Sequence, residues 1–92
     1  MPRFFIELSH GDEREACIRA LHAIQAYGSH FVTHADWGCR DGTHAGWMIG
    51  EFDSHDHALQ LVPPDMRPEA RIVQLNSFTR EEIEEMIEEL AP

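Results

Sequence analysis

The chain contains no lysine; all seven of its basic residues are arginine. That excludes Schiff-base catalysis and the phosphate-gripping lysine of a P-loop, although a GC-rich coding sequence produces the same bias. Cysteine is scarce too: Cys17 and Cys39 are too few for a disulfide framework. No apolar run approaches the roughly 20 residues of a membrane helix. The opening Met1-Pro2-Arg3-Phe4-Phe5-Ile6 leads into a strand pattern without the apolar core of a signal peptide. These absences lead us to expect a reducing, cytoplasmic setting.

Positive charge is also in short supply. Seventeen acidic residues against seven basic ones give a formal charge of -10 at pH 7. Such a chain lacks the cations to displace counterions from a phosphate backbone or an anionic membrane surface, so we expect neither nucleic-acid nor membrane partners. Histidine, by contrast, is abundant, with seven residues that titrate near neutral pH. The length, 92 residues, is that of a single domain spanning 1–92. A domain of this size buries only roughly 60–65% of its unfolded surface. Covering an open face with a second copy would therefore add stability, and a homodimer is expected.

Phe4-Phe5-Ile6-Glu7-Leu8 is a short apolar run with one acid inside it and predicts a first strand. Asp12, with Glu15 three residues on, predicts a helix start. The helix carries Cys17, Ala20, Leu21, Ile24 and Tyr27 on one stripe, and Gly28 supplies its stop. Phe31 to Trp37 predicts a second strand, a glycine-bearing hairpin follows, and Ala45 to Phe52 predicts a third. Ser54 caps a short helix over about 55–62, which Pro63-Pro64 ends. A loop over 64–69 leads to a fourth strand, Ala70 to Asn76. Thr79-Arg80-Glu81-Glu82 is a capping box for a last helix with Ile83, Met86, Ile87 and Leu90 on one stripe.

The predicted class is therefore α+β: a ferredoxin-like βαββαβ sandwich with an antiparallel four-stranded sheet and an added C-terminal helix. Right-handed crossovers put the first strand between the third and fourth, with the second at an edge. Both connecting helices then cover one sheet face and leave the other bare. Across nearly its whole length the chain resembles the dimeric α+β barrels, in which two such bare faces meet. More narrowly, Ser29-His30-Phe31-Val32-Thr33-His34-Ala35-Asp36-Trp37-Gly38-Cys39, with Phe78-Thr79-Arg80-Glu81-Glu82-Ile83, is similar to a group of short bacterial proteins of unknown function. That likeness implies a fold and no activity.

Strand parity assigns Phe4, Ile6, Leu8, Met48 and Phe52 to the helix-facing side, with Gly46 and Gly50 admitting close helix approach. The bare side receives Phe5, Glu7, Val32, His34, Asp36, Trp47, Ile49 and Glu51. In the fourth strand the parity is ambiguous: Val73 and Leu75 look like core, which would put Gln74 and Asn76 on the bare side.

Two constellations carry chemistry. The first is His34, Asp36, Cys39 and His44, a nitrogen, oxygen and sulfur donor set suited to zinc or nickel. His10 is a candidate further member, because the end of the first strand, the hairpin and the start of the third strand meet at one end of the sheet. The helix-facing parity of His10 turns it away from His34. The plain alternative is a polar hairpin in which Asp41 and Gly42 set the turn. The second constellation is Glu7, His34, Asp36 and Glu51 with Trp47, suited to a small-molecule ligand in a dimer cavity. There a histidine beside carboxylates would act as general base for an isomerase- or monooxygenase-like reaction. The plain alternative is a wet interface in which Glu7 pairs with an arginine or His34. Cys17, on the apolar stripe, reads as inert core. The Glu-rich last helix leaves a third reading, an interaction module without a site.

Overall fold

The structure, a computed structural model, describes residues 2–11, 13–28 and 34–90. The chain folds as α+β around an open, four-stranded antiparallel sheet in the order β2-β3-β1-β4. β1 is Arg3–Ser9, β2 Asp36–Trp37, β3 Ala45–Glu51 and β4 Ala70–Leu75. α1 is Arg14–Tyr27, α2 His55–Leu59 and α3 Arg80–Glu88. β1 lies between β3 and β4 with β2 at an edge, the adjacency that the crossovers require.

β1 alternates strictly. Phe4, Ile6 and Leu8 are buried under the helices, while Phe5 and Glu7 face the other way. They form the core with Ile24 of α1, Phe52, Ala58 of α2 and Val62. Burying each of these side chains except that of Ala58 contributes about 1.5–3 kcal/mol. α1 contributes only Ala20 and Ile24 as buried residues, since Cys17 and Leu21 are half-buried and Tyr27 is exposed. Asp12, the expected cap, lies outside the described residues; Glu13 is the residue at the cap, and its side chain makes no capping bond. Gly28 ends the helix in the left-handed region, at φ 83°.

Several expectations need correction. The alternation predicts β2 over Phe31–Trp37; Phe31 to Thr33 lie outside the described residues, His34 is helical, and among the described residues of this segment Asp36 and Trp37 are the ones that pair. β4 takes the opposite parity. Ala70 and Ile72 pack toward the core while Val73 is exposed on the bare side, because Val73 lies opposite Phe5 and Ile72 opposite Ile6. The two strand glycines make room for aromatic rings, not helices. A Cβ on Gly46 would sit 2.5 Å from Trp37, its directly opposite neighbour, and one on Gly50 would sit 2.8 Å from the Phe52 ring. The expected loop at 64–69 is a 3-10 helix, Pro64–Glu69.

The N-caps of α2 and α3 follow the expectation. Ser54 Oγ accepts from the His57 amide at 3.1 Å. α2 tightens after Leu59, and the amides of Leu61 and Val62 bond three residues back. Thr79 and Glu82 form the full capping box, with Glu82 N donating to Thr79 Oγ1 at 3.1 Å and Thr79 N to Glu82 Oε1 at 3.3 Å. Yet every residue from Asn76 to Leu90 is exposed, including the apolar stripe Ile83, Met86, Ile87 and Leu90. α3 stands away from the core, in keeping with a radius of gyration of 16.7 Å where a compact chain of this length has roughly 12 Å. None of the helices among the described residues is long and apolar enough to cross a membrane.

Candidate metal centre

The ladder between β1 and β3 ends at the pair Ser9 and Ala45. One further backbone bond, His10 N to His44 O at 3.1 Å, extends it and sets the two histidines side by side. Their rings meet edge to face with centroids 5.6 Å apart. Between Trp37 and His44 the chain makes a tight 3-10 turn, Cys39–Asp41, closed by Thr43 N to Gly38 O and by Gly42 at φ 87°. Gly42 is needed there because a side chain is strained at that angle. The turn aims Cys39 back at the histidines: its Sγ lies 3.0 Å from His10 Nε2.

His10, Cys39 and His44 each offer a donor atom, and the three lie within 4.8 Å of one another. His10 Nδ1 sits 2.9 Å from the Gly11 carbonyl. A carbonyl oxygen only accepts, so Nδ1 carries the proton and Nε2 presents its lone pair to Cys39. That is the arrangement in which a metal-binding histidine is held by its other ring nitrogen. His44 Nδ1 is buried without a hydrogen-bond partner, an unmet demand inside a polar cluster. Burial, with the Cys17 thiol beside it, pushes the Cys39 thiol above its usual range.

Cys17 is the member that sequence reasoning missed. Instead of lying inert in the core, its Sγ donates to Cys39 Sγ at 3.2 Å. Both cysteines are free thiols and half-buried. The available signal was its place in the first turns of α1, seven residues after His10 and at the same end of the sheet. A cavity of about 430 Å³ opens beside the cluster, lined by Arg14, Cys17, Ile18, Cys39, Arg40 and His44.

Of the expected metal set, Cys39 and His44 meet, and they meet His10. His34 and Asp36 do not join them. They line a separate cavity of about 290 Å³ with Phe5, Trp47, Met48 and Ile49. The pleat is the reason: Asp36 lies opposite Trp47 on the bare side, whereas Trp37 and the Cys39 cluster lie on the side of α1.

The second constellation is tied together by register. Glu7 stands directly opposite Trp47 on one side and Arg71 on the other. Trp47 Nε1 donates to Glu7 Oε2 at 2.8 Å, and Arg71 Nε lies 3.5 Å from Glu7 Oε1. The carboxylate thus has an arginine partner, Arg71, which the sequence reading did not identify. Glu51 is exposed and faces Arg3 across the ladder. Compared with models of protein families, with curated proteins and with solved structures, the chain matches none.

Proposed function

We propose that this chain is a metal-binding protein whose centre, His10, Cys39 and His44, takes a divalent transition metal. The carrying observation is the convergence of three donors within 4.8 Å, one of them a histidine with a buried, unpartnered Nδ1. A thiolate with two imidazoles suits zinc first and nickel second. Zinc bonds of about 2.3 Å to sulfur and 2.0–2.1 Å to nitrogen imply a tetrahedral S···N edge of roughly 3.6 Å. The 3.0 Å between His10 Nε2 and Cys39 Sγ needs only a small opening to reach it. Three protein ligands would leave a fourth position for water or another ligand.

The test is metal analysis of untagged protein, followed by zinc titration in a melting assay. Zinc at about 100 times its Kd would stabilise the fold by about 2.7 kcal/mol. His44→Ala and Cys39→Ser should abolish that shift. Protein that carries no metal, and whose melting temperature zinc leaves unmoved, refutes the reading.

The finer fold reading is a ferredoxin-like domain that pairs through its bare sheet face, supported by β1 lying between β3 and β4 and by the exposure of Ile49 (59%) and Val73 (37%). An enzyme built on Glu7, His34, Asp36 and Trp47 has weaker support, since the Glu7 carboxylate is already engaged by Trp47 and Arg71. A cytoplasmic, reducing setting suits a centre that depends on free thiols.

A further inference from the structure

Cys17 is left over by the three-ligand centre. It is not within 4.8 Å of all three donors, so it is not placed as a fourth ligand. Its Sγ nevertheless approaches Cys39 Sγ to 3.2 Å. The hydrogen bonds form a consistent chain. Cys17 S–H donates to Cys39 Sγ, Cys39 S–H donates to His10 Nε2, and His10 Nδ1–H donates to the Gly11 carbonyl. The two sulfurs border two cavities, one with Leu21, Trp37 and Arg40, the other with Arg14, Ile18 and His44. A small oxidant has a route to both.

We propose that Cys17 and Cys39 are a redox modification site: a hydroperoxide converts them to an intrachain disulfide, which disables Cys39 as a ligand and releases the metal. The release half rests on the metal reading above; the disulfide half stands on the sulfur–sulfur approach alone. Cys39 reacts as its thiolate, having given up its proton to solvent in the metal-free chain or to metal binding in the zinc-loaded one, and attacks the terminal peroxide oxygen. The O–O bond breaks, the alkoxide leaves as an alcohol after taking a proton, and Cys39 becomes a sulfenic acid. Cys17 sulfur then attacks Cys39 sulfur, the S–O bond breaks and water leaves. In sum, two thiols and one hydroperoxide give one disulfide, one water and one alcohol, the alcohol being a second water when the oxidant is hydrogen peroxide. The sulfurs lose two electrons and the peroxide gains them. Closing to an S–S bond of about 2.05 Å requires the sulfurs to move together by roughly 1.2 Å.

The test uses the full chain, zinc-loaded and reduced, treated with hydrogen peroxide. Free thiols are counted by alkylation and mass spectrometry, and released zinc is read with a chromogenic chelator. The expected result is loss of both thiols to a Cys17–Cys39 disulfide, zinc release at the same rate, and reversal of both by dithiothreitol. Cys17→Ser should keep its zinc before treatment and form no disulfide; with no resolving partner, excess peroxide carries its Cys39 on to sulfinic acid, so dithiothreitol does not restore zinc binding. Three results overturn the proposal: an interchain disulfide, irreversible oxidation of Cys39 alone in the wild type, or loss of zinc from untreated Cys17→Ser, which would make Cys17 a ligand. Wild-type protein that forms the disulfide but never carries zinc would sink the metal reading and its release step, and leave the redox pair standing. Zinc-bearing protein that forms no disulfide would do the reverse.

Discussion

Gly46→Ala should destabilise the protein although it adds a single methyl group to a strand, where alanine is ordinarily tolerated. The added Cβ would lie 2.5, 2.6 and 2.8 Å from three atoms of the Trp37 ring. Ordinary contact begins at 3.4 Å, so the ring must retreat by about 0.9 Å. It cannot retreat freely. Trp37 packs against the core, and its ring centroid is 6.5 Å from that of His10. Overpacking of this kind costs about 1–3 kcal/mol, out of a total of roughly 5–14 kcal/mol for a chain of this length. At roughly 4–8 °C per kcal/mol, the melting temperature should fall by about 5–20 °C, read by circular dichroism. Gly42→Ala is the contrasting control. Nothing lies within 4 Å of its Cβ position, and its cost comes only from the left-handed φ of 87°, about 1–2 kcal/mol. The clash mechanism further requires that Gly46→Ala be nearly harmless once Trp37→Leu has removed the ring, giving a coupling of about 0.5–3 kcal/mol in the double-mutant cycle. A Gly46→Ala protein that melts within about 2 °C of wild type, or strict additivity with Trp37→Leu, would refute the reasoning.

Zinc binding should weaken as pH falls. The metal takes the thiolate, while the Cys39 thiol is held above its usual pKa, so binding expels a proton and affinity drops about tenfold per pH unit for each proton displaced. Isothermal titration in buffers of different ionisation enthalpy reads that proton. In the metal-free protein the sign is opposite: the fold favours the neutral thiol, so this contribution is present at neutral pH and is lost as pH rises through the raised pKa. Thr79→Ala should cost α3 about 1 kcal/mol of helix stability, seen as lower helicity by circular dichroism. The main melting transition should stay put, because the whole helix is exposed; a fall of several degrees would show that α3 packs in solution. Ile49→Arg, at an exposed position on the bare sheet face, should convert a homodimer to monomers by light scattering at micromolar concentration. Wild-type protein that is already monomeric would refute the paired-face reading.

What the sequence determined by itself was whatever depends on neighbours a few residues apart. The alternation of β1, the Gly28 stop, the Ser54 cap and the Thr79–Glu82 box are local, and each appears as read. The element order also determined that His10, Cys39 and His44 meet at one end of the sheet, since strand direction follows from connectivity. Tertiary structure decided the rest. The parity of β4 turns on which residues of β1 stand opposite, and Val73 against Ile72 is a tie that composition cannot break. Gly46 is required by Trp37, which stands across the ladder from it. Spacing makes ligands of His34 and Asp36, yet the pleat puts Asp36 on the far side of the sheet from Cys39. Cys17 shows the limit best. Its stripe position says that it faces inward, but only the packing of α1 over the hairpin decides that Cys39 is what it meets. Local pattern governs which way a side chain points; long-range packing governs what it finds there.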